Sequence, residues 1–362
     1  MRHAINLLWG SVAMALTWGM AIAPAQSQSL VIVSEKRGNV EIQRGGGTFQ
    51  PLAPGARLQG TDLIRVASGG SVTLLCGNLA TQPINRPGTF SVVQHCPMAA
   101  QAKSRQTDRV RSPQDSENPA IPYLLNPRND GVMQSLTPTI RWHDVPGVTE
   151  YTVYLQGRGL PTQSYQVRGN TWVYDQETPL QYGRSYRVTI VALGTACDRP
   201  GATSPCQANF MLLTEAEVAE AEAKVAALTA LDLPPAIYNL SLAEMYGEYE
   251  LYGEGIAVLE KAIAADTAVL STYITLAEFY EAVSRYQTAQ TTYEQAWAMA
   301  QETEDGLAAA AIAATLGELH DFLGDQGEAI AWLERAEAAY TQLGDQESAA
   351  EIAATLAELR SP

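Results

Sequence analysis

Four cysteines, four histidines and a dense set of carboxylates are the residues of this 362-residue chain that could do chemistry. The histidines, His3, His95, His143 and His320, are scattered, and none stands at metal-ligand or nucleophile-activating spacing. There is no Gly-x-Ser-x-Gly, no His-Glu-x-x-His, no Gly-Lys-Ser/Thr phosphate loop and no dinucleotide fingerprint. Gly45-Gly46-Gly47 reads as a turn, because no helix follows whose N-terminus could hold an anion. His95 beside Cys96 suggests an activated thiol, but a structural disulfide is the simpler role. The carboxylates crowd the C-terminal third, and exposed acids without an apolar pocket are not tuned for proton transfer. The residue types therefore predict no catalytic residue, no metal and no cofactor.

The cysteines predict bonds. Cys76 and Cys96 fall in one region, Cys197 and Cys206 in another. Local pairing keeps each bridge inside one domain; three pairings exist for four cysteines, and zinc would need tighter spacing. Disulfides require an oxidising compartment, and the N-terminus supplies the route to one. Arg2 and His3 precede an apolar run from Ala4 to Ile22 that ends at Ala23-Pro24-Ala25. This is the pattern of a secretory signal over residues 1–25, with retention as a membrane anchor the alternative. The expected location is outside the cytoplasm; the periplasm or exterior of a bacterium is what the resemblance given below implies. No later stretch reads as apolar enough to span a bilayer.

Charge divides the chain. Its net charge is −16, yet residues 214–362 hold 27 Asp and Glu against 5 Lys and Arg, a balance of −22, while residues 1–213 hold 12 against 18, a balance of +6. Halves of opposite sign serve different partners or attract each other. Phosphates would be repelled by the acidic half, which excludes nucleic acid there.

The positioning elements follow from pattern. Residues 30–97 read as short strands separated by Gly-rich turns. Gly38-Asn39-Val40, Leu52, Gly55, Leu58, Gly60-Thr61-Asp62, Ile64 and Ser71-Val72-Thr73-Leu74 resemble a FecR-like periplasmic β-domain. The family's usual Asp-Gly is replaced by Cys76-Gly77-Asn78, where a disulfide fits. Residues 98–120 read as a polar linker, made basic by Lys103, Arg105, Arg109 and Arg111. A solvated tether is one reading and contact with an anionic cell-wall polymer or headgroup the other. In residues 121–213, Thr139–Trp142, Tyr151–Leu155 and Tyr186–Ile190 alternate with period two. Trp142 and Leu180-x-x-Gly183-x-x-Tyr186 are similar to the buried tryptophan and corner tyrosine of a fibronectin type III-like sandwich. Thr214 with Glu217 forms a capping-box pattern that opens a helical connector over residues 214–231.

Residues 232–360 repeat. Leu242-Ala243-x-x-Tyr246 returns as Leu276-Ala277-x-x-Tyr280, as Leu316-Gly317-x-x-His320 and as Leu356-Ala357. Behind them stand Gly255, Leu259, Ala262; Ala289, Tyr293, Ala296; and Ala329, Leu333, Ala336. Large residues facing small ones let two helices approach. The array resembles tetratricopeptide repeats: three hairpins and a capping helix from about Glu347, with the usual closing proline replaced by breaks such as Ala265-Asp266-Thr267 and with helices lengthened around Gln301 to Ile312. The resemblance places the residue after each Leu-small pair on the concave face, and that residue is always Glu: Glu244, Glu278, Glu318 and Glu358. Glu248, Glu281 and Asp321 share those faces. The Lys, Asn and Arg clamp by which the family holds C-terminal carboxylates is absent. Of the array's aromatics, Tyr238, Tyr246, Tyr249, Tyr252, Phe279, Tyr280, Tyr286 and Trp297, most should be core and some could line the groove.

The expected fold is thus two all-β domains followed by an all-α solenoid, and the expected function is an exported scaffold or adaptor. It would bind a protein with a basic surface or peptide through an acidic groove made of Glu244, Glu248, Glu278, Glu281, Glu318 and Asp321. Solvated glutamates chosen for solubility are the plain alternative. Rival readings are a glycan- or cell-wall-binding envelope protein acting through the β-half, with Trp172 and Tyr174 as aromatic candidates, an accessory to envelope signalling, and self-association. The acidic array could also fold back on the basic half by charge, an effect that salt should weaken.

Overall fold

The computed structural model describes residues 31–96, 117–128, 131–199 and 205–361. The signal segment and the basic stretch of the linker lie outside the described residues.

The first β unit comprises β1 (Val31–Arg37), β2 (Val40–Gln43), β3 (Gln50–Pro51), β4 (Arg57–Leu58), β5 (Leu63–Val66), β6 (Ser71–Leu75), β7 (Thr81–Ile84) and β8 (Gly88–Ser91), ending in the single turn α1 (Val92–His95). These form two antiparallel sheets, β4-β1-β6-β7 and β3-β2-β5-β8. Alternation sets their faces: Val40 and Ile42 of β2 point into the core that Val33, Ile64, Leu74 and Val92 complete. Gly70 is needed where the β1–β2 and β5–β6 turns meet, since a Cβ there would stand 2.9 Å from the Asn39 carbonyl oxygen. Cys76 and Cys96 are bonded and buried in this core.

The second unit comprises β9 (Leu124–Asn126), β10 (Gly131–Met133), β11 (Thr139–Trp142), β12 (Glu150–Gly157), β13 (Leu160–Arg168), β14 (Thr171–Val173), β15 (Ser185–Val191) and β16 (Gln207–Leu212). A three-stranded sheet, β14-β11-β9, faces a five-stranded one, β10-β16-β15-β12-β13. Trp142 is fully buried and meets the Tyr151 ring edge-on at 5.4 Å. The Tyr186 hydroxyl accepts a hydrogen bond from the Gln181 amide at 2.8 Å, tying the corner before β15 to its own strand. The Cys197–Cys206 bond closes the connection from β15 to β16.

The helical part begins with α2 (Glu215–Thr229), whose start is fixed by the reciprocal Thr214–Glu217 capping box. Then follow α3 (Pro235–Glu248), α4 (Tyr252–Ala264), α5 (Leu270–Ala282), α6 (Tyr286–Glu302), α7 (Gly306–Leu323), α8 (Gln326–Leu343) and α9 (Gln346–Leu359). They pack as the hairpins α3/α4, α5/α6 and α7/α8, with α9 on the end. Large-to-small packing is literal: a Cβ on Gly255 would sit 2.4 Å from the Phe279 ring, and one on Gly317 would sit 2.5 Å from Leu333. Residues of left-handed conformation, Glu250, Asp266, Ser284, Glu304, Gly324 and Gly344, turn the chain between helices without proline. Side chains of Asp305, Asp325 and Asp345 accept from amides in the first turns of α7, α8 and α9 and so start them. The lengthening runs through three helices, with 17 residues in α6 and 18 in both α7 and α8. The α6–α7 turn falls inside the window read as helix extension, because Asp305 caps there. By length and composition α7 could cross a bilayer; here it packs between α6 and α8.

The candidate partner-binding groove

Helices α3, α5, α7 and α9 line one side of the array, and the first β unit lies against it. Ile32 of β1 packs with Ile237 and Leu240 of α3. Leu75 packs with Leu228 of α2 and with Leu242 and Met245 of α3. Gly55, at φ +80°, brings its backbone so near Val269 that a Cβ would fall 2.7 Å from that side chain. At the far end, the Thr48 amide donates to the Leu343 carbonyl at 2.9 Å. Leu307, in the first turn of α7, packs on the β core.

Arg57 enters the centre of this contact. Its Nε lies 3.2 Å from Glu244 and its Nη1 lies 2.7 Å from Glu278 and 3.4 Å from the Thr275 hydroxyl. Thr275 in turn donates to Glu244 at 2.8 Å. Burial opposes the charge on Arg57, but the two carboxylates outweigh it and raise the guanidinium's pKa above its ordinary value. Burial likewise pushes the Glu244 carboxyl up, with Arg57 pulling back and Glu278 adding to the rise. Two carboxylates on neighbouring helices are tolerable there because a cation sits between them.

The expectation of a continuous open groove is therefore corrected. Glu244 and Glu278 are brought together, but around an arginine of the same chain. Glu248 turns the other way and pairs with Lys224 of α2 at 3.0 Å. Glu281 hydrogen-bonds Tyr293, whose phenol is held well above its ordinary value, chiefly by burial. Glu318, Asp321 and Glu358 remain exposed, with no ion pair among the described residues. Crowding raises the Glu318 carboxyl above the usual range all the same, by desolvation. The aromatics divide: Phe279, Tyr280 and Tyr286 are core, while Tyr238, Tyr246, Tyr249, Tyr252 and Trp297 are partly buried.

Magnitudes decide what holds the two parts together. Burying a side chain the size of Ile32, Leu75, Ile237 or Leu242 contributes about 1.5–3 kcal/mol. A pair open to water contributes at most about 1 kcal/mol, and Arg57 keeps 27% of its side chain exposed. The apolar contacts dominate and the arginine fixes position. Fold-back driven by charge, to be loosened by salt, gives way to docking driven by burial.

The second β unit grips the opposite edge, at the α3–α4 and α5–α6 turns. Arg128 is buried and donates to the carbonyls of Leu124, Val283 and Ser284. Burial lowers its pKa to about 10. Glu254 of α4 accepts from the Gln134 amide at 3.4 Å, and burial raises its carboxyl to about 7. Within the segment read as a free tether, Glu117 is attached. It accepts from the Gln287 and Thr288 amides at 2.9 and 3.2 Å, which caps α6, and it lies 3.5 Å from Arg285. The aromatic pair considered for glycans is also corrected, since Tyr174 is fully buried and Trp172 is half-buried against the tilted ring of Tyr165.

Comparison with known proteins agrees with the array. Residues 268–342 match the tetratricopeptide repeat family. Among solved structures, BtubC from P. vanneervenii is 19% identical over 40% of this chain and 65% of that one, just under two thirds of its length, with a TM-score of 0.34. A Podospora anserina kinesin light chain of nearly identical repeats is 20% identical over 40% of this chain and 86% of its own, TM-score 0.29. MamA is 19% identical over 40% and 85%, TM-score 0.28. No curated protein matches. By the family match over residues 268–342 and its successive hairpins, the helical part resembles a tetratricopeptide array, a class of fold that serves protein–protein interaction. The two disulfides are consistent with an oxidising compartment.

Proposed function

We propose that the protein is a non-enzymatic, extracytoplasmic scaffold whose array holds two β-domains, one FecR-like and one fibronectin type III-like, and binds a basic protein partner through the open part of its acidic face. The single observation that carries this is Arg57 between Glu244 and Glu278: an arginine presented on a β-strand fits the chemistry of the array's glutamates. Glu318, Asp321 and Glu358 offer the same chemistry without a paired cation among the described residues. Attraction between such a stretch and a basic surface gives specificity and fast association.

The test is crosslinking in the living cell from a photoreactive residue at Ala314, in the otherwise native chain and in an E318K/D321K variant. Capture of a protein by the first and its loss from the second supports the proposal. Equal capture by both moves the partner to another face, and capture by neither assigns the array a purely architectural role.

A further inference from the structure

We propose that Glu244, Thr275 and Glu278 form a guanidinium-binding site whose resident ligand is Arg57 of the same chain, which makes the first β unit the built-in occupant of the array's concave face. Three observations support it. The ligand atoms are the two ends of a planar fork: Nε goes to one carboxylate, Nη1 to the other, with the Thr275 hydroxyl bridging. A lysine is a single compact charge with rotatable donors and cannot hold the two carboxylates in the fixed directions of a planar fork. The two glutamates come from equivalent places in successive hairpins, so the repeat itself sets the width of the site. Arg57 is delivered rigidly, because β4 pairs with β1 and β1 carries Ile32 into the apolar contact with α3.

The consequence concerns access. With Arg57 in place, the carboxylate oxygens of Glu244 and Glu278 that face it are taken, and the apolar contacts on either side keep the unit from being exchanged for a single arginine. Lost Arg57 would leave two carboxylates facing each other in a partly buried site. The site therefore selects which β surface docks and in which register. It rests on the same Arg57 contact as the adaptor reading, but its test leaves Glu318 and Asp321 untouched, so the two fail separately.

The test inserts a protease site between residues 97 and 116 of the full chain, cuts it, and measures by sedimentation how tightly the freed β unit stays bound. The native pieces should remain associated at micromolar concentration, in low salt and in 0.5 M NaCl alike (a salt chosen well beyond the ordinary screening length, about 10 Å at 0.1 M). R57K should weaken association roughly tenfold and R57E roughly a hundredfold. Adding E278R to R57E should recover most of the loss. If R57E proves unable to fold, E244Q/E278Q reads the same site from the array side without added repulsion and should show a loss of roughly tenfold. Dissociation of the native pieces, R57K equal to native, or E244Q/E278Q without effect each overturns the proposal.

Discussion

Single buried charges carry the sharpest consequences. Glu254 is a carboxylate at the seam between α4 and β10, with Oε2 buried and without a hydrogen bond. Its pKa is about 7 in the folded protein against 4.5 as the ordinary value. The folded state therefore binds a proton over that interval and the unfolded state does not. Stability from this group is fully present below pH 4.5 and is lost as pH rises through 7. Urea unfolding should show this slope, and E254Q should abolish it, leaving the variant more stable than native at pH 8 by about 1–3 kcal/mol. Arg128 behaves differently, since its guanidinium acts through three carbonyl bonds, two of them across the second seam to Val283 and Ser284. R128A should lose about 2–4 kcal/mol by leaving buried carbonyls unmet, and hydrogen exchange should accelerate first at the α5–α6 turn. How much of such residues was legible beforehand differs by cause. Thr214 with Glu217 was legible because a capping box is local. Arg57 was not: nothing in Ala56-Arg57-Leu58 marks it, and its partner Glu278 is 221 positions away.

Elements show the same division. Hairpin positions were readable because repeats restate their packing rule, and the small residues of that rule are where substitution should hurt. G255A places a methyl group into the Phe279 ring, and G317A into Leu333. Neither neighbour is a flexible surface chain, so each change should cost about 1–3 kcal/mol by overpacking, whatever alanine adds in helix propensity. A thermal melt of the two variants, set against A350G on the exposed face of α9, would separate packing from propensity. Strands in the first unit were readable from alternation and glycine turns, but β3 and β4 have only two residues each. So short a segment carries no period, and β4 is the strand that bears Arg57. The lengthening around Gln301 to Ile312 was readable from the 40-residue spacing, but the point of the α6–α7 turn was not, because Asp305 sets it by a capping contact that involves one side chain.

At the scale of the whole molecule the opposed charges of the two halves invite an electrostatic account of assembly, and the geometry supports a different one. The basic half does meet the acidic half, yet where the first β unit docks the contact is made of Ile32, Leu75, Ile237, Leu240 and Met245, with Arg57 among them. Charge is retained where it discriminates and apolar area supplies the strength. This division predicts how the protein responds to solvent. Raising NaCl screens exposed pairs such as Arg65–Glu41 but leaves buried area untouched. Small-angle scattering should therefore give the same dimensions in low salt and in high salt, whereas L75E, which puts a charge into the seam with Leu242, should swell the particle at any salt. Reduction of the disulfides gives the complementary control. Cys76–Cys96 closes a loop of separation 20 within the docked unit, worth about 3 kcal/mol to that unit. The seam needs the unit folded, so reduction should lower the melting temperature of the β-domain and release it from the array in one step. Two separate transitions, with the seam surviving after the domain has unfolded, would show that the array holds β1 and β4 without the rest of their fold, and would place the source of docking in those strands alone.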